Sequence, residues 1–254
     1  MVTGCCCGIE QIEKLERLGI YEIELSAGWI YQLDELEFQN LKKVLNNTKV
    51  KAHVCNCLMA SANTSLFKDE QLKETKCYLN KLIPRLSEIG VKYIVFGSGN
   101  YRFVPENISE ITKKEKICAF LILLSSTSKK YGITVVIEPL NQKETNVFLT
   151  SVETMEYINY LKIDNIKLLI DLYHFDLENE DFNNIIKFKD YIKHVHIARP
   201  VERCCPKLND GYDYNKFLNA LQIAEYNGIV SIESNIKDFE KDISDAKALI
   251  ESNL

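Results

Sequence analysis

The sequence predicts a (β/α)8 barrel, an α/β fold in which eight parallel strands alternate with helices. Eight short apolar runs alternate with amphipathic helical segments, and no linker or change of composition divides the 254 residues. Alternating units of this kind require a parallel sheet, and about 250 residues is a common length for an eight-unit barrel. A doubly wound open sheet is the alternative, but no GxGxxG motif follows the first strand. We therefore expect one barrel domain over residues 1–254.

The first half of the chain supplies four units. The predicted strands are residues 2–6, 21–25, 50–55 and 92–96. The first helix has Ile9, Ile12, Leu15 and Leu18 at helical spacing, and Gly19 ends it. Further helices are predicted over 34–45 and 69–89, the latter with Leu72, Tyr78, Leu79, Leu82 and Leu86 as its buried stripe. Pro84 is expected to kink that helix.

The second half supplies the other four units. The predicted strands are residues 133–137, 166–170, 191–197 and 229–232. The helices are predicted over 113–131, 152–161, 182–188, 214–226 and 239–251, with Gly228 capping the fourth of these. A TIM barrel of this length needs no disulfide or structural metal to remain folded.

Composition narrows the class of partner. The chain is 46% hydrophobic and 26% charged, as in ordinary soluble proteins, and its net charge is −5. A negative balance argues against nucleic acid or anionic lipid as a partner. No signal peptide and no apolar run of membrane-spanning length is found, so we expect a cytoplasmic protein.

The cysteines are numerous but form no metal-binding motif. Nine are present, with no CxxC pair and no finger-like spacing. Neighbouring strand residues point to opposite faces, so Cys5, Cys6 and Cys7 do not readily converge on one ion. We expect reduced thiols, with a zinc or redox site at Cys55 and Cys57 as the alternative.

Four consecutive strands end in a polar residue. Glu138, Asp171, His196 and Glu233 each follow an apolar run, and the carboxyl ends of barrel strands meet at one rim. Three carboxylates brought together there would repel one another without a cation. Three oxygen donors and one nitrogen donor suit Mn²⁺, Mg²⁺ or Co²⁺ better than a structural zinc. The sequence therefore predicts a divalent-metal site.

The other histidines receive weaker roles. His194 shares the face of His196, so we expect it deeper in the barrel as a packing or supporting residue. His53 is expected to be a satisfied interior histidine, or to line the floor of the site. His174 follows Asp171 by three residues, where its imidazole could polarise a substrate oxygen.

These motifs resemble the xylose isomerase-like TIM-barrel superfamily of sugar isomerases and epimerases, and within it the ketose 3-epimerases that act on tagatose and psicose (allulose). Glu138-Pro139-Leu140-Asn141 with Glu144 resembles that group's Glu-Pro-Leu-Asn-x-x-Glu run, and Asp171 with His174 matches its Asp-x-x-His. Val195-His196 and Ile232-Glu233 match its last two ligands. The loop Gly97-Ser98-Gly99 with Arg102 and Pro105 also resembles sugar isomerase relatives.

The resemblance implies roles for particular residues. Glu138, Asp171, His196 and Glu233 would hold the metal, Mn²⁺ above all, and Glu138 and Glu233 would also form the acid/base pair. Glu144 and His174 would bind substrate oxygens. The group's sugar-binding arginine corresponds to Arg203, with Arg199 as a rival. Ser234-Asn235 replaces the Pro-Phe expected after the last ligand.

The expected function is therefore metal-dependent isomerase chemistry on a ketose, with 3-epimerisation first. An aldose–ketose isomerase and an inosose-type dehydratase remain alternatives on the same site. An apurinic endonuclease fits poorly, because only four histidines are present and the net charge is negative. A non-catalytic sugar-binding protein is the remaining alternative. The expected partners are a small-molecule sugar and, as is usual in the family, further copies of the chain in a dimer or tetramer.

Overall fold

Eight parallel strands close into a barrel in chain order. The structure is a computed structural model that describes residues 1–59, 65–68 and 71–252. The strands are β1 (Val2–Cys6), β2 (Glu22–Ser26), β3 (Lys51–Asn56), β4 (Tyr93–Phe96), β5 (Thr134–Ile137), β6 (Ile166–Asp171), β7 (Ile192–Ile197) and β8 (Ile229–Ile232). Each pairs in parallel with the next, and β8 pairs with β1. The predicted (β/α)8 fold is confirmed.

Helices connect the strands around the outside. They are α1 (Ile12–Arg17), α2 (Ala27–Gln32), α3 (Glu35–Asn46), α4 (Gln71–Glu88), α5 (Gly99–Arg102), α6 (Glu110–Lys129), α7 (Ser151–Leu161), α8 (Leu172–Leu177), α9 (Asn183–Lys187), α10 (Asn215–Ile223) and α11 (Phe239–Glu251). A 3-10 turn, Ile9–Gln11, precedes α1. Within the described ranges, no helix is long and apolar enough to cross a membrane.

Side-chain caps fix where several helices begin. Asp34 and Glu37 form a reciprocal capping box at the start of α3, each carboxylate accepting from the other residue's backbone N–H. Ser109 and Thr150 cap α6 and α7, where each hydroxyl oxygen accepts a hydrogen bond from a backbone N–H in the first turn. Such caps satisfy N–H groups that have no partner within the helix, and each contributes about 1 kcal/mol. They therefore help to set the length of each loop at the strand ends.

The barrel interior changes from apolar to polar toward the carboxyl ends of the strands. Val54, Val95, Val136 and Leu169 form a small apolar cluster that is separate from the main core. Val136 and Leu169 precede Glu138 and Asp171 by two residues, so each pair shares a face. The apolar cluster thus fills the barrel below the polar rim.

Most predicted boundaries lie within three residues of the observed ones. Three short helices, α2, α5 and α8, were not predicted. α2 and α8 each begin directly at a strand end with no intervening loop. The predicted start of α4 at Asp69 lies outside the described residues. Pro84 is accommodated inside α4.

Two details of the helix predictions are wrong. Leu72 is half exposed, and the buried stripe of α4 begins instead at Thr75, whose hydroxyl is hydrogen-bonded to Tyr101. Gly228 does not cap α10, which ends five residues earlier at Ile223. Glu225 makes the left-handed turn after that helix, with φ of 56°. All nine cysteines are free thiols.

Candidate active site

Glu138, Asp171, His196 and Glu233 meet at the carboxyl rim of the barrel. One donor atom from each lies within 4.8 Å of the others. His196 Nδ1 is 3.2 Å from Glu138 Oε1 and 3.2 Å from Glu233 Oε2. The structure therefore brings together the four side chains that the strand ends predicted, one from each of β5 to β8.

The two carboxylate oxygens of Asp171 have different environments. Its Oδ1 accepts a hydrogen bond of 2.9 Å from the backbone N–H of Tyr173 and so caps α8. Its Oδ2 is buried without a hydrogen-bond partner and lies on the side of the other donors. A buried carboxylate oxygen left unpartnered is costly, and a cation is the natural partner for it.

The pKa values at the rim show that negative charge is crowded there. Burial, and then the proximity of Glu233 and Glu138, raises the pKa of Asp171 to about 7. Burial also raises the pKa of Glu138, and Glu233 adds to this effect. A divalent cation would relieve this repulsion and favour the ionised form of both groups.

The pKa of Glu233 is shifted in the opposite direction, because this carboxylate has more positive neighbours. Burial alone would raise its pKa, but His196 and Arg203 outweigh that effect and lower the pKa to about 2. Arg203 Nη2 lies 2.5 Å from Glu233 Oε2 and 3.6 Å from Asp171 Oδ2. The surroundings thus shift the pKa values of two carboxylates of the same cluster, Asp171 and Glu233, in opposite directions.

Glu24 supports the site from below, and the sequence reasoning missed it. This buried β2 carboxylate lies 3.0 Å from His196 Nε2 and 2.8 Å from His194 Nε2. The two histidines lower its pKa well below the usual value although burial raises it. A carboxylate on the far nitrogen of a ligand histidine orients the ring. His194, fully buried, therefore has the supporting role that was expected.

A signal for Glu24 was present in the sequence. Glu22 and Glu24 alternate with Ile23 and Leu25, which puts both carboxylates on the interior face of a barrel strand. Glu22 pairs with His53, whose Nδ1 is 2.9 Å from Glu22 Oε1. His53 is thus a satisfied histidine, and the alternative that it lines the site floor is not supported, since it does not line the site cavity.

His174 is held in one tautomer beside the cluster. Its Nδ1 accepts a hydrogen bond of 3.2 Å from the backbone N–H of Asn141, so the ring proton is on Nε2. Nε2 is buried without a hydrogen-bond partner, 3.5 Å from Asp171 Oδ2. Burial, and then Arg203, lowers the pKa of His174 to about 3. The ring is therefore a neutral N–H donor beside the four-residue cluster.

Arg203 enters the site, whereas Arg199 does not. The Arg203 guanidinium stacks over the Tyr173 ring at 4.8 Å and lies 4.0 Å from Glu144. Arg199 lines a different cavity, between the loops that follow β7 and β8. The geometry thus favours Arg203 over its rival as the arginine near a substrate.

Two hydrogen bonds from Asn235 hold the loop that carries Arg203. Glu202 and Arg203 have φ angles of 61° and 50°, in the left-handed region that non-glycine residues rarely adopt. The Asn235 backbone N–H donates to the Arg203 carbonyl at 2.7 Å, and its side-chain amide donates to the Glu202 carbonyl at 2.8 Å. The departure from the family pattern at Asn235 therefore supplies a clamp for this loop.

The loop after β4 leaves room for Glu138. A Cβ added to Gly97 would overlap Glu138 Oε2, so a larger residue there would displace this carboxylate from its position at the rim. Arg102, fully buried, donates to the carbonyls of Phe96 at 3.0 Å and Glu138 at 2.8 Å. This arginine ties together the ends of β4 and β5 and so fixes the backbone that carries Glu138.

A cavity of about 580 Å³ opens above the cluster. Its lining includes Glu138, Glu144, His174, Arg203 and Glu233. Asn56 and Cys57 at the end of β3 and the loop after β4 also line it. Its size is in the range of small-molecule sites, and most of its named lining is polar. Every predicted site residue except Asp171 and His196, which lie beneath, lines this cavity.

Comparison with known proteins identifies the family. A family model described as a xylose isomerase-like TIM barrel matches residues 12–252. The chain belongs to the xylose isomerase-like TIM barrel family, as the sequence motifs predicted.

Curated relatives of the chain are carbohydrate epimerases by name. A probable ketose 3-epimerase from Synechocystis sp. is 25% identical over 90% of this chain and 79% of that protein. A D-psicose 3-epimerase from Ruminiclostridium cellulolyticum is 23% identical over 73% of this chain and 64% of that protein. A ketose 3-epimerase from Arthrobacter globiformis is 26% identical over 61% and 54%. The chain thus matches between 54% and 79% of the length of these relatives. The predicted resemblance to ketose 3-epimerases, and so to the isomerase class, is confirmed.

Solved structures share the fold at low identity. A D-psicose 3-epimerase with D-tagatose from Clostridium cellulolyticum H10 gives a TM-score of 0.86 at 17% identity, covering 100% of this chain and 99% of that one. A 3-keto-D-glucoside 4-epimerase from E. coli gives 0.84 at 18% identity, covering 99% of both chains. At these identities the likeness establishes the barrel alone.

Proposed function

We propose that this protein is a divalent-metal-dependent epimerase that inverts C3 of a ketose. The observation that carries the proposal is the convergence of Glu138, Asp171, His196 and Glu233 within 4.8 Å at the rim of the barrel. The curated relatives named ketose 3-epimerases support the choice of reaction. A small-molecule sugar is thus the proposed partner, and homo-oligomer formation and a cytoplasmic location remain predictions.

The four-residue cluster fits a hard divalent cation. Asp171 Oδ2 is buried and unpartnered, and three carboxylates face one imidazole. Oxygen-rich sites with one nitrogen suit Mn²⁺, and Mg²⁺ or Co²⁺ are the alternatives. When bound, the ion would supply Lewis-acid stabilisation of negative charge that develops on the substrate carbonyl oxygen.

Glu138 and Glu233 are the proposed acid/base pair. They come from β5 and β8, which are not neighbours in the barrel, so they approach the cavity from different sides. The hydrogen on C3, next to a carbonyl, is removed by one glutamate, and the other returns a proton to the opposite face. The net result is inversion at C3 with no redox change.

His174, Glu144 and Arg203 are the proposed substrate-binding residues. His174 presents its Nε2 proton beside the cluster and is held in this tautomer by Asn141. Glu144 and Arg203 line the same side of the cavity, where a carboxylate and a guanidinium can bind hydroxyl oxygens of a sugar. Together they orient the carbonyl end of the ketose.

The experiment that tests this proposal is proton exchange in D₂O. The Mn²⁺-loaded protein is incubated with D-fructose, D-tagatose, D-psicose and L-ribulose, and the products are examined by NMR. Deuterium at C3 together with the C3 epimer is the expected result. Deuterium at C1 or C2 with an aldose product would instead establish an aldose–ketose isomerase. Absence of exchange with every sugar, with and without metal, would contradict the proposal and favour the dehydratase or sugar-binding alternatives.

A further inference from the structure

A second cavity lies next to the first and shares one lining residue with it. Its volume is about 430 Å³, and it lies between the ends of β1 and β2. Asn56 lines both cavities, and its amide Nδ2 lies 3.4 Å from Glu233 Oε1. Cys6 and Glu24 also line the second cavity, and Glu24 contacts His196 from below. The two cavities therefore adjoin around the same metal-ligand candidates.

The second cavity has the chemistry of a carbohydrate site. Trp29, in the first turn of α2, lines it and has 36% of its surface exposed. An indole ring is a flat surface on which the apolar face of a sugar ring stacks. Glu10 and Ser26 also line the cavity and can bind sugar hydroxyls, since a carboxylate accepts and a hydroxyl both donates and accepts.

A free ketose does not account for this second space. The first cavity alone, at about 580 Å³, already lies within the range of a complete small-molecule site. The proposed substrate-binding residues, Glu144, His174 and Arg203, lie on the β5 to β7 side of that cavity. Because Asn56 lines both cavities, a ketose whose carbonyl end contacts these residues can extend its remaining carbons toward the second cavity.

We propose that the second cavity binds a glycosyl group attached to the ketose, so that the substrate class is a glycosylated ketose with a free C3 hydroxyl. This inference rests on the proposed function for the orientation of the ketose. The glycosyl ring stacks on Trp29, and Glu10 and Ser26 bind its hydroxyls. Asn56 lies where the glycosidic linkage passes from one cavity to the other.

The chain provides its own reporter for this proposal. Trp29 is the single tryptophan, so intrinsic fluorescence reads the second cavity directly. The Mg²⁺-loaded protein is titrated with isomaltulose, a ketose glucosylated at its O6, with maltulose, which carries the glucose at O4, and with D-fructose. A saturable blue shift or quench with at least one glycosyl-ketose, and none with D-fructose, is the expected result. Equal responses to all three sugars, or no response to either glycosyl-ketose, would overturn the proposal.

Turnover gives an independent measurement of the same subsite. In Trp29→Ala the ratio of kcat/KM for the responding glycosyl-ketose to kcat/KM for D-fructose is expected to fall at least about fivefold, because one aromatic contact contributes about 1 kcal/mol. Tyr160→Ala is the matched control, because Tyr160 is an exposed aromatic residue that lines neither cavity. An unchanged ratio in Trp29→Ala would contradict the proposal.

The two measurements separate failure of the subsite from failure of the reaction. If no sugar is epimerised but a glycosyl-ketose alters Trp29 fluorescence, the subsite stands and the proposed epimerase activity is wrong. If D-fructose is epimerised but neither glycosyl-ketose perturbs Trp29, the reaction stands and the subsite is wrong.

Discussion

Two layers of buried carboxylates and histidines lie one above the other in the barrel, and they are balanced differently. In the lower layer a single carboxylate, Glu24, is shared by His194 and His196. In the upper layer three carboxylates, Glu138, Asp171 and Glu233, surround His196, with the neutral His174 and Arg203 at the edge. The lower layer has positive and neutral partners for every oxygen of its carboxylate, whereas the upper layer has an excess of negative charge.

The difference indicates which layer is better suited to bind a cation. Both Glu24 oxygens are hydrogen-bonded, and burial, with Glu24 nearby, raises the pKa of the adjacent Cys6 thiol well above its usual value. A protonated thiol and a saturated carboxylate are poor ligands. Asp171 Oδ2, by contrast, is buried without a hydrogen-bond partner. We therefore expect the lower layer to support His196 and the upper layer to bind metal and perform the chemistry.

Removing a charge from the upper layer should have the largest effect on activity. Glu138→Gln and Glu233→Gln are each expected to lower kcat by about 10²-fold to 10⁴-fold, the range for loss of a general acid or base. Steady-state kinetics on the best ketose measures the effect. Glu22→Gln is the matched control, because Glu22 is a β2 carboxylate that lines neither cavity. Near-normal turnover in either upper-layer variant would show that this glutamate is not part of the acid/base pair.

A change in the lower layer should act through the metal rather than on the proton transfer. Glu24→Gln is expected to weaken Mn²⁺ binding by about 10-fold to 100-fold, since it removes the carboxylate that orients His196. Isothermal titration calorimetry measures the affinity, again with Glu22→Gln as the control. At saturating Mn²⁺ most of the turnover should return. If activity stays lost when the metal site is full, Glu24 takes part in the reaction itself and does not only orient His196.

The clamp on the Arg203 loop should have a smaller effect. Asn235→Ala removes the side-chain hydrogen bond to the Glu202 carbonyl but leaves the backbone bond to Arg203. The expected result is a rise in KM of about threefold to tenfold with little change in kcat, because one such hydrogen bond contributes about 1 kcal/mol. Ser234→Ala is a matched neighbour whose hydroxyl contacts Cys205 instead. A fall in kcat with KM unchanged would contradict a binding role for Arg203.

The pH dependence of stability should show a further effect that is confined to the metal-free protein. The folded-state pKa of Asp171 is raised from 3.8 to about 7, mainly by burial and then by Glu233 and Glu138. In this pH window the folded state holds a proton that the unfolded state has released, so the free energy of unfolding falls as pH rises toward 7. Relative to Asp171→Asn, the wild type should lose stability between about pH 4 and about pH 7, the range between the unfolded and folded pKa values.

Urea unfolding of both proteins in the presence of EDTA measures this difference. The comparison cancels the contributions of the histidines, which are common to the two proteins. Added Mg²⁺ should reverse the loss in the wild type and have less effect on Asp171→Asn. A difference that is constant with pH would mean that Asp171 is ionised in the folded protein even without metal.

The sequence could predict those site residues that stand directly at the carboxyl ends of strands. Glu138, Asp171, His196 and Glu233 are separated along the chain by up to 95 positions (233 − 138), yet each ends an apolar run, and closure of the barrel brings such ends to one rim. The period of two also identified His194 as deeper than His196. These features depend on local pattern and chain order, which a single sequence contains.

The residues that the sequence did not reveal act across the barrel. Alternation in β2 places Glu24 in the barrel interior, but its contact with His194, 170 positions away, requires β2 and β7 to lie in the same closed barrel. Asn235, in the loop after β8, is hydrogen-bonded to Arg203, in the loop after β7, and no periodicity of the sequence encodes such a contact. The second cavity arises from the spacing of loops after β1 and β2, and composition carries no trace of it. Contacts of this kind follow from tertiary closure alone.

The position of the bound ion tests the central claim most directly. Crystals of the protein grown with Mn²⁺ would be measured at a wavelength where manganese scatters anomalously. We expect one strong peak among Glu138 Oε1, Asp171 Oδ2, His196 Nδ1 and Glu233 Oε2, within about 2.0–2.5 Å of each ligand atom. A peak among Cys6, Glu24 and His196 Nε2, or no ordered peak at saturating Mn²⁺, would contradict it.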